Sequence, residues 1–535
     1  MKKRIFAILF ALTLATSTLV GCQLTGKIDT SKQTKITTKE KENTKKSAVT
    51  SLGVDKKVYD VIAKPRLIVT TDGEVDDQNS LRHLLLYAND IEIAGIVYSA
   101  SQFHWQGDGG KNTLGEVTKN NMNVEENGDS LTEYRPQEMG WVEDAIKNEY
   151  AVDYDNLVLN DANYPTADEL LSVVKVGNVE FEGDVREATE GSEYIKEIIL
   201  DDNNRPLYLE SWGGFNTIAR ALMSIEEEYK DTDDWDAIYK KVCGKIVIQG
   251  NGQDKTYEDY IAKIYPDLMI YASSSINYGY YASNSAPADS NYMFHADWLT
   301  THVKNNHGAM MGHYLLIGDG THYEGELDRF QYGETTTIDG KEFDQYDWLG
   351  EGDSGHWITL IPVGLRGLEN GNYGTWCGRI TINGQFLTSK GNYNEYDYTT
   401  GKEGSFSGKR WITAIMEDWA VRCDWAAGVG NHAPEVAVSN KDITAKKGET
   451  VELQGTATDP DKDELTCRWI VYEEASEYSG SCTGITVWDP GKASTSFTIP
   501  SDAKAGDYFN LILAVKDNAD APTTRYAQVI VTVSE

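Results

Sequence analysis

The sequence predicts an α/β protein, with a mostly parallel sheet flanked by helices, followed by a C-terminal immunoglobulin-like β-sandwich. Two observations carry this prediction. Apolar strand-like runs alternate with helix-like segments from Arg66 onward, and short alternating strands replace them after residue 430. Strand–helix alternation is typical of a parallel sheet covered on both faces, and short strands separated by turns are typical of a sandwich. A chain of 535 residues is long enough for both.

The first 22 residues are typical of a lipoprotein signal. Three basic residues at positions 2–4 precede an apolar stretch that ends in Leu-Val-Gly-Cys at 19–22. Such a segment is cleaved before the cysteine, whose sulfur then carries lipid. We therefore expect lipid attachment at Cys22 and an extracytoplasmic protein held at the cell membrane by this lipid only. An ordinary secretory signal with a chance cysteine is the alternative.

Residues 23–60 are rich in Lys and Thr and lack apolar periodicity, so we expect a disordered tether. The chain has a net charge of −35. Residues 1–57 hold 12 basic and 4 acidic side chains, which leaves 37 basic and 80 acidic side chains for the remainder. Because so acidic a surface repels phosphate backbones, nucleic acid is not an expected partner.

The α/β domain is assigned to residues 61–430. Its predicted elements are the strand RLIVTTD, a helix containing Leu81, Leu84 and Leu85, the strand IEIAGIVYSA, a helix at Glu190–Leu200, the strand PLYLES, a helix containing Ile218, Leu222 and Ile225, and the strand GKIVIQG. Folds of this kind bind ligands in the loops at the carboxyl ends of the strands.

The β-sandwich is assigned to residues 431–535. Its predicted strands are VELQGTAT, LTCRWIVY, STSFTIP, FNLILAVKD and AQVIVTV. The turn DPDKDE at 459–464 has the alternating acids of a calcium loop, but it lacks the sixth-position Gly and has Ile470 where the closing Glu belongs. We interpret it as a solvated turn rather than a metal site. Cys467 and Cys482 either pair in an oxidising compartment or stay free.

Four carboxylates follow the first strand in TTDGEVDD: Asp72, Glu74, Asp76 and Asp77. Acids at the start of a helix cap it or favour its dipole, which accounts for one or two of them. Carboxylates held close together raise one another's pKa unless a cation neutralises them. A hard divalent ion bound by oxygen atoms, most simply calcium, is therefore the functional interpretation.

Four segments, taken in order, are similar to a known family: VTTDGEVDDQNSLRHLLLYAND, LYLESWGGFNTIARAL, GEGDSGHWITLIPVGLRG and GTWCGRI. The chain resembles the bacterial cellulose-binding proteins that have a nucleoside hydrolase-like domain and a C-terminal β-domain, and that are related to the calcium-dependent nucleoside hydrolases. The likeness covers nearly all of residues 61–535. It implies a nucleoside hydrolase-like fold for the α/β domain and Ca²⁺ as its cofactor.

The resemblance also implies roles for single residues. The ligands of the calcium ion would be Asp72, Asp77, the backbone carbonyl of Trp212, and Asp353. Asp72 would in addition be the catalytic base that activates a water molecule. The substrate-binding residues would be Asp76, Gln102 and Asn216. Asn216 also suits the cap of the helix that follows it.

The sequence departs from the hydrolases at three places. Thr70 stands where an earlier Asp is usual, and Gly-Glu at 73–74 replaces Pro-Gly. Gly352 replaces the His that precedes the late Asp and that could protonate a leaving group. His356, four residues further on, is either a substitute acid or an ordinary surface histidine.

Two tyrosine-rich stretches, 276–298 and 391–404, either stack against sugar rings or are long loops packed by their own aromatic side chains. Together these features predict an extracytoplasmic lipoprotein that hydrolyses an N-glycosyl or other glycosidic bond with the help of calcium. The alternative is a non-catalytic surface protein that binds cellulose or another carbohydrate. The expected partner is a sugar-containing small molecule or a polysaccharide.

Overall fold

The computed structural model describes residues 64–117, 130–250, 254–271, 278, 282, 286–321, 336–338, 341–383, 386–390, 396–397, 402–403, 410–482 and 485–535. The predicted lipid attachment site at Cys22 and the predicted tether lie outside the described residues, as does most of the stretch at 391–404. Among the helices that are described, none combines the length and the apolar character needed to cross a membrane.

The strands of the α/β part are β1 (Arg66–Thr71), β2 (Glu92–Tyr98), β3 (Val174–Val176), β4 (Leu207–Ser211), β5 (Ile246–Gly250), β6 (Met269–Tyr271), β7 (Thr336–Ile338), β8 (Lys341–Phe343), β9 (Arg379–Asn383), β10 (Phe386–Lys390), β11 (Tyr396–Asp397) and β12 (Lys402–Glu403). Eight of them form one sheet in the order β3-β2-β1-β4-β5-β6-β10-β9. All neighbours in this sheet are parallel except β9 and β10. The mostly parallel sheet is therefore confirmed.

The α-helices of the described part are α1 (Val75–Leu85), α2 (Leu114–Val117), α3 (Trp141–Asp144), α4 (Ala151–Asn160), α5 (Ala167–Ser172), α6 (Glu190–Leu200), α7 (Asn216–Tyr229), α8 (Trp235–Lys245), α9 (Ala262–Ile264), α10 (Ala296–Leu299), α11 (Gly308–Gly312), α12 (Ser354–Trp357) and α13 (Ile412–Ala427). Short π-helical turns lie at Ala145–Tyr150, Tyr257–Ile261 and Thr300–Lys304, and short 3₁₀ turns at Asn291–Phe294, Ile358–Leu360, Gly371–Tyr373 and Glu473–Ala475. The helix predicted at Glu190–Leu200 has those bounds, because the Thr189 and Ser192 side chains form a capping box at its start.

The sheet separates two apolar cores. Leu67 and Val69 of β1 belong to one buried cluster, and Ile68 between them belongs to the other. Successive side chains of a strand point to opposite faces, and a parallel sheet covered on both faces needs apolar residues at every position. The continuous apolar run before the carboxylates therefore places β1 inside the sheet, between β2 and β4.

The C-terminal strands are β13 (Glu435–Val438), β14 (Asp442–Lys446), β15 (Thr450–Leu453), β16 (Gly455–Thr458), β17 (Thr466–Val471), β18 (Thr495–Thr498), β19 (Tyr508–Lys516) and β20 (Thr524–Ser534). One sheet has the order β14-β20-β19-β17, and β13-β16 and β15-β18 form two antiparallel pairs. This arrangement, around a core that includes Trp469, Phe497 and Phe509, is compatible with the predicted β-sandwich. Cys467 and Cys482 are both free thiols.

The two predicted domains pack against each other through helix α13. Asp418 of α13 accepts hydrogen bonds from Arg525 at 2.5 Å and from Tyr87 at 2.8 Å, so one buried carboxylate contacts both parts of the chain. Tyr526 of the C-terminal part belongs to the same apolar cluster as Trp419 of α13. The described residues accordingly form one compact unit.

Candidate functional site

The loop from β1 to α1 folds around the Asp77 carboxylate. Gly73 turns the chain with a φ of +79°, a conformation that glycine adopts without strain. Asp77 Oδ1 accepts hydrogen bonds from Thr71 Oγ1 at 2.5 Å and from the backbone N–H groups of Asp72 at 3.1 Å and Gly73 at 3.4 Å. One oxygen of Asp77 is thus fixed by three donors, and the other remains for a ligand.

Three carboxylates meet beyond this loop. Asp76, Asp77 and Asp353 each offer an oxygen, and these oxygens lie within 4.8 Å of one another. Burial, and then the charges of Asp72, Asp353 and Asp76, hold the pKa of Asp77 well above its usual range. Burial, and then the charges of Asp76 and Asp72, do the same to the pKa of Asp353. The predicted ligands Asp77 and Asp353 therefore lie together, 276 residues apart in sequence.

Four buried carboxylate oxygens at or beside this cluster lack donors in the described part of the chain. No described residue donates a hydrogen bond to either oxygen of Asp72, to Asp77 Oδ2 or to Asp353 Oδ2, although all four atoms are buried. A buried carboxylate without a partner is costly unless it is protonated or binds a cation. Because hard divalent cations prefer several carboxylate oxygens, the residues present fit the implied calcium ion.

Helix α1 holds the late segment that supplies Asp353. Asn79 donates to the carbonyls of Leu315 at 3.0 Å and Gly350 at 3.1 Å, and its Oδ1 accepts from the Leu315 N–H at 2.8 Å. One turn further along, His83 Nδ1 lies 2.8 Å from the buried Glu351 carboxylate. These contacts carry the loop before α12 to the start of α1 and so deliver Asp353 to the cluster.

The end of β4 lies against the predicted base. A Cβ atom added to Gly213 would stand 3.0 Å from Asp72 Cγ and Oδ2, so the backbone after Trp212 packs directly on the Asp72 carboxylate. Trp212 itself is fixed by its N–H, which donates to the Thr70 carbonyl at 2.9 Å. Its indole donates to Glu210 at 3.0 Å. These contacts fix the residue, while the contact of its carbonyl with calcium stays a prediction.

Asn216 is buried and its carboxamide holds loops together. Its Nδ2 donates to the carbonyls of Asn178 at 2.8 Å and Asp184 at 3.3 Å, and its Oδ1 accepts from Ser99 Oγ at 2.9 Å. The expected side-chain cap is wrong, because Asn216 is the first residue of α7 and Asp254 accepts from its backbone N–H at 3.1 Å. The predicted sugar contact of Asn216 is untested.

Gln102 lies in the turn that follows β2 and is half-buried. The turn is closed by Ser101 Oγ, which accepts from the N–H groups of Phe103 at 2.9 Å and His104 at 3.2 Å. Gln137 ties this region to the cluster loop, because its Nε2 donates to the carbonyls of Ser99 at 2.9 Å and Thr71 at 3.4 Å. The predicted role of Gln102 as a sugar contact stays a prediction.

His356 is not a surface histidine, because only 1% of it is exposed. Burial lowers its pKa to about 4, so the imidazole is neutral at neutral pH. The position at which the resemblance implies a histidine is occupied by Gly352. The N–H of Gly352 donates to Asp76 Oδ2 at 3.2 Å, and a Cβ there would lie 2.4 Å from that oxygen. Neither residue is an evident proton donor for a leaving group.

Sequence reasoning missed Glu210, Asn79 and Gln137. Glu210 is fully buried in β4, and burial raises its pKa well above the usual range. A lone Glu in the apolar strand PLYLES was the available signal for it, since buried carboxylates are rare without a purpose. Asn79 and Gln137 stand at positions whose partners are distant in sequence, so no local pattern marks them.

A second acidic group lies in the C-terminal part. Asp459, Asp461 and Asp463 also bring oxygens within 4.8 Å of one another, but these side chains are half-buried or exposed. Asp461 accepts from the N–H of His432 at 2.7 Å, and Asp459 accepts from backbone N–H groups of its own turn. The interpretation as a solvated turn remains adequate for it.

Comparison with known proteins gives two family matches. The family described as "Cellulose-binding Sde182, nucleoside hydrolase-like domain" matches residues 66–380. The family described as "Cellulose-binding protein Sde0182, C-terminal domain" matches residues 450–533. No curated protein matches the chain.

Among solved structures, the fold is similar to a nucleoside hydrolase-related hypothetical protein from Saccharophagus degradans that is described as associated with carbohydrate metabolism. The TM-score is 0.64 with 24% identity, and the match covers 88% of this chain and 100% of the other. The fibronectin(III)-like modules of Clostridium thermocellum CbhA match 19% of this chain and 47% of theirs, with 18% identity and a TM-score of 0.14. These comparisons confirm the nucleoside hydrolase-like fold through the first structure and the family matches.

Proposed function

Because the chain belongs to the family of cellulose-binding proteins with a nucleoside hydrolase-like domain, we propose that it is an extracytoplasmic, lipid-anchored protein that binds polysaccharide and hydrolyses a glycosidic bond with calcium. The observation that carries the catalytic part is the cluster of Asp76, Asp77 and Asp353 beside the unpartnered Asp72 carboxylate. The anchoring part rests on the signal that ends at Cys22.

The proposed calcium ligands are Asp72, Asp77, Asp353 and the carbonyl of Trp212, as the resemblance implies, and the cluster adds Asp76. Bound there, calcium would supply positive charge that orients vicinal sugar hydroxyls and lowers the pKa of a water molecule. The orphaned oxygens of the three carboxylates support this assignment, because each is buried and free of donors from the described residues. Asp76 lies at the same cluster and is held by Gly352, so we assign it to both the cation and the sugar hydroxyls.

Asp72 is the proposed base. It would take a proton from the attacking water while the water oxygen bonds to the anomeric carbon and the bond to the aglycone breaks. The electron pair of that bond would leave on the aglycone nitrogen or oxygen, which then takes a proton from solvent. An N-glycosyl bond to a good leaving group, or another activated glycosidic bond, suits a site without a dedicated acid.

A second candidate function is carbohydrate binding without catalysis. The buried, neutral His356 and the glycine at position 352 favour it, since both leave the leaving group without an evident acid. In this reading the carboxylate cluster holds calcium and a sugar without turnover. The description of the family as cellulose-binding supports polysaccharide binding under either candidate.

The test measures whether the full-length protein releases reducing sugar from a panel of substrates. The panel contains nucleosides, aryl glycosides and oligosaccharides. The reaction is run with calcium, with a chelator, and with Asp72→Asn, which keeps the side-chain shape and removes its basicity. Calcium-dependent release that is lost in the variant would support the hydrolase and identify its substrate class. No release from a folded protein with calcium bound would leave the non-catalytic binding function.

A further inference from the structure

A groove of about 540 Å³ lies on the α/β part, and the second half of the tyrosine-rich stretch at 276–298 supplies much of its lining. Its described lining includes Tyr292, His295, Trp298, His302, Asp297 and Asp344. The volume is within the range of small-ligand sites, which combine apolar walls with a few polar groups. This groove uses none of the residues assigned to the calcium cluster.

The tyrosine-rich stretch divides into packed and exposed aromatic rings. Tyr278 is buried against Phe294 and Trp348, with ring centroids 6.0 and 5.4 Å apart, so it serves packing. Tyr292 is instead 56% exposed and lines the groove. A single exposed tyrosine is ordinary. Tyr292 is distinguished by lining the same groove as a pair of packed aromatic rings.

This pair of rings is Trp298 with His302, whose ring centroids are 4.9 Å apart at an interplanar angle of 33°. Trp298 is also backed by Trp419 at 6.5 Å. Burial lowers the pKa of His302, which favours the neutral form of its imidazole. The contacts with His302 and Trp419 hold the indole of Trp298 in place before any ligand arrives, which reduces the ordering cost of binding.

Hydrogen bonds also hold His295, another residue that lines the groove. His295 lies between Asp347 and Asn291, with Nδ1 and Nε2 each 3.1 Å from an oxygen. Asp347 also accepts from the N–H groups of Ala296 and Asp344, each at 3.0 Å. These contacts join the segments at 291–296 and 344–347, which both line the groove.

The charges of the groove select its occupant. Among its described lining residues none is Lys or Arg, while Asp297 and Asp344 are exposed carboxylates. Such a lining disfavours polyanions. Carboxylates accept strong hydrogen bonds from hydroxyl groups, and amphipathic rings pack against the C–H faces of sugars while their edges stay wet.

We propose that this groove is a binding subsite for a neutral β-glucan chain, with Tyr292 and Trp298 as the stacking platforms and Asp297 and Asp344 as hydroxyl acceptors. The proposal rests on the polysaccharide-binding part of the proposed function and gives it a location. It separates the place where a chain is held from the carboxylate cluster where a bond would be cleaved.

The experiment is a depletion isotherm of the full-length protein on microcrystalline cellulose, with soluble cello-oligosaccharide as competitor, at low and high salt. The variants are Tyr292→Ala and Trp298→Ala. The matched control is Trp488→Ala, which removes a 65% exposed aromatic ring from the C-terminal part. Because Tyr292 is exposed, its variant should keep the wild-type melting temperature. The expected result is roughly tenfold weaker retention for Tyr292→Ala, wild-type retention for Trp488→Ala, and little effect of salt.

Equal retention of wild type, Tyr292→Ala and Trp298→Ala would overturn the groove assignment and leave polysaccharide binding standing. Retention that falls steeply with salt would indicate ionic adsorption rather than stacking on neutral sugar rings, and would also overturn it. Failure of the folded wild-type protein to bind either glucan would instead contradict the binding part of the proposed function, before any variant is compared.

Discussion

Gly352 and Asp76 are joined by a hydrogen bond of 3.2 Å from the glycine N–H to Asp76 Oδ2, although they are 276 residues apart. A side chain at this position would displace the Asp76 carboxylate, since an added Cβ would lie 2.4 Å from that oxygen. The position where the resemblance leads one to expect a histidine is therefore used to seat a carboxylate.

Gly352→Ala should weaken calcium binding by roughly tenfold or more, because the Asp76 carboxylate must move and loses a charge-assisted hydrogen bond. Stability should change little, since the atom displaced is the end of a flexible side chain. Calorimetry with calcium and a melting curve measure the two effects. Gly312→Ala, where nothing lies within 4 Å of an added Cβ, is the control. Unchanged calcium affinity in Gly352→Ala would show that Asp76 is outside the cation site.

Gly213→Ala should reduce sugar release and leave the fold intact. The added Cβ would stand 3.0 Å from Asp72 Cγ and 3.1 Å from Asp72 Cβ, so the whole side chain must shift. Because catalytic groups must be held within about half an ångström of their productive geometry, this shift of the proposed base should lower the rate. The measurement is kcat and KM with calcium, with Gly491→Ala as control. A wild-type rate in Gly213→Ala would argue against Asp72 as the base.

Asn79→Ala should destabilise the protein by roughly 3 kcal/mol, because it leaves the Leu315 N–H and the Leu315 and Gly350 carbonyls without their partner. It should also weaken calcium binding, since the segment that carries Asp353 loses its tie to α1. Urea unfolding and calcium calorimetry measure these effects. Asn148→Ala, which removes an exposed side chain with one 3.4 Å hydrogen bond to Asp144, is the matched control. Equal losses in both variants would contradict the positioning role.

Asp418 makes the stability of the domain contact depend on pH. Burial alone would raise its pKa, but Arg525 and Arg422 hold that pKa below its usual value of 3.8. A carboxyl whose pKa is depressed by folding stabilises the folded state above its unfolded pKa, and the contribution disappears as the pH falls through its folded pKa. Asp418→Asn should therefore cost about 3–5 kcal/mol at neutral pH, since Arg525 and Arg422 lose a buried partner.

The difference between wild type and Asp418→Asn should shrink as the pH falls below about 4. Thermal unfolding as a function of pH measures it. Asp489→Asn, which breaks a surface ion pair with Lys492, should cost less than about 1 kcal/mol at any pH. A constant difference for Asp418→Asn down to the acid limit would refute the linkage.

The central strands and helices could be predicted because their signals are local. The run at Leu67, Ile68 and Val69 has apolar side chains on both faces, as only an interior strand needs. In the C-terminal part the segment VELQGTAT was predicted as one strand, whereas it forms β15 and β16 with Gln454 between them. Two short strands and one longer strand share the same alternation, so pattern alone does not separate them.

The site was predictable only in part. The order of the motifs predicts that Asp77 and Asp353 share a site, and Asp76 lies there as well. The contacts that hold these carboxylates in place are between segments distant in sequence, which no local pattern records. His356 illustrates the difference, because its burial depends on packing that no local pattern records. The cap expected from Asn216 failed for the same reason, since a carboxylate distant in sequence performs it.

The most direct test of this account is calorimetric titration of the full-length protein with calcium, comparing wild type, Asp77→Asn and Asp461→Asn. Asp461 belongs to the other acidic group and serves as the matched control. We expect wild type and Asp461→Asn to bind calcium with the same affinity, and Asp77→Asn to lose that binding. Wild-type affinity in Asp77→Asn, or loss of binding in Asp461→Asn alone, would contradict the assignment of the cation to the cluster at the end of β1.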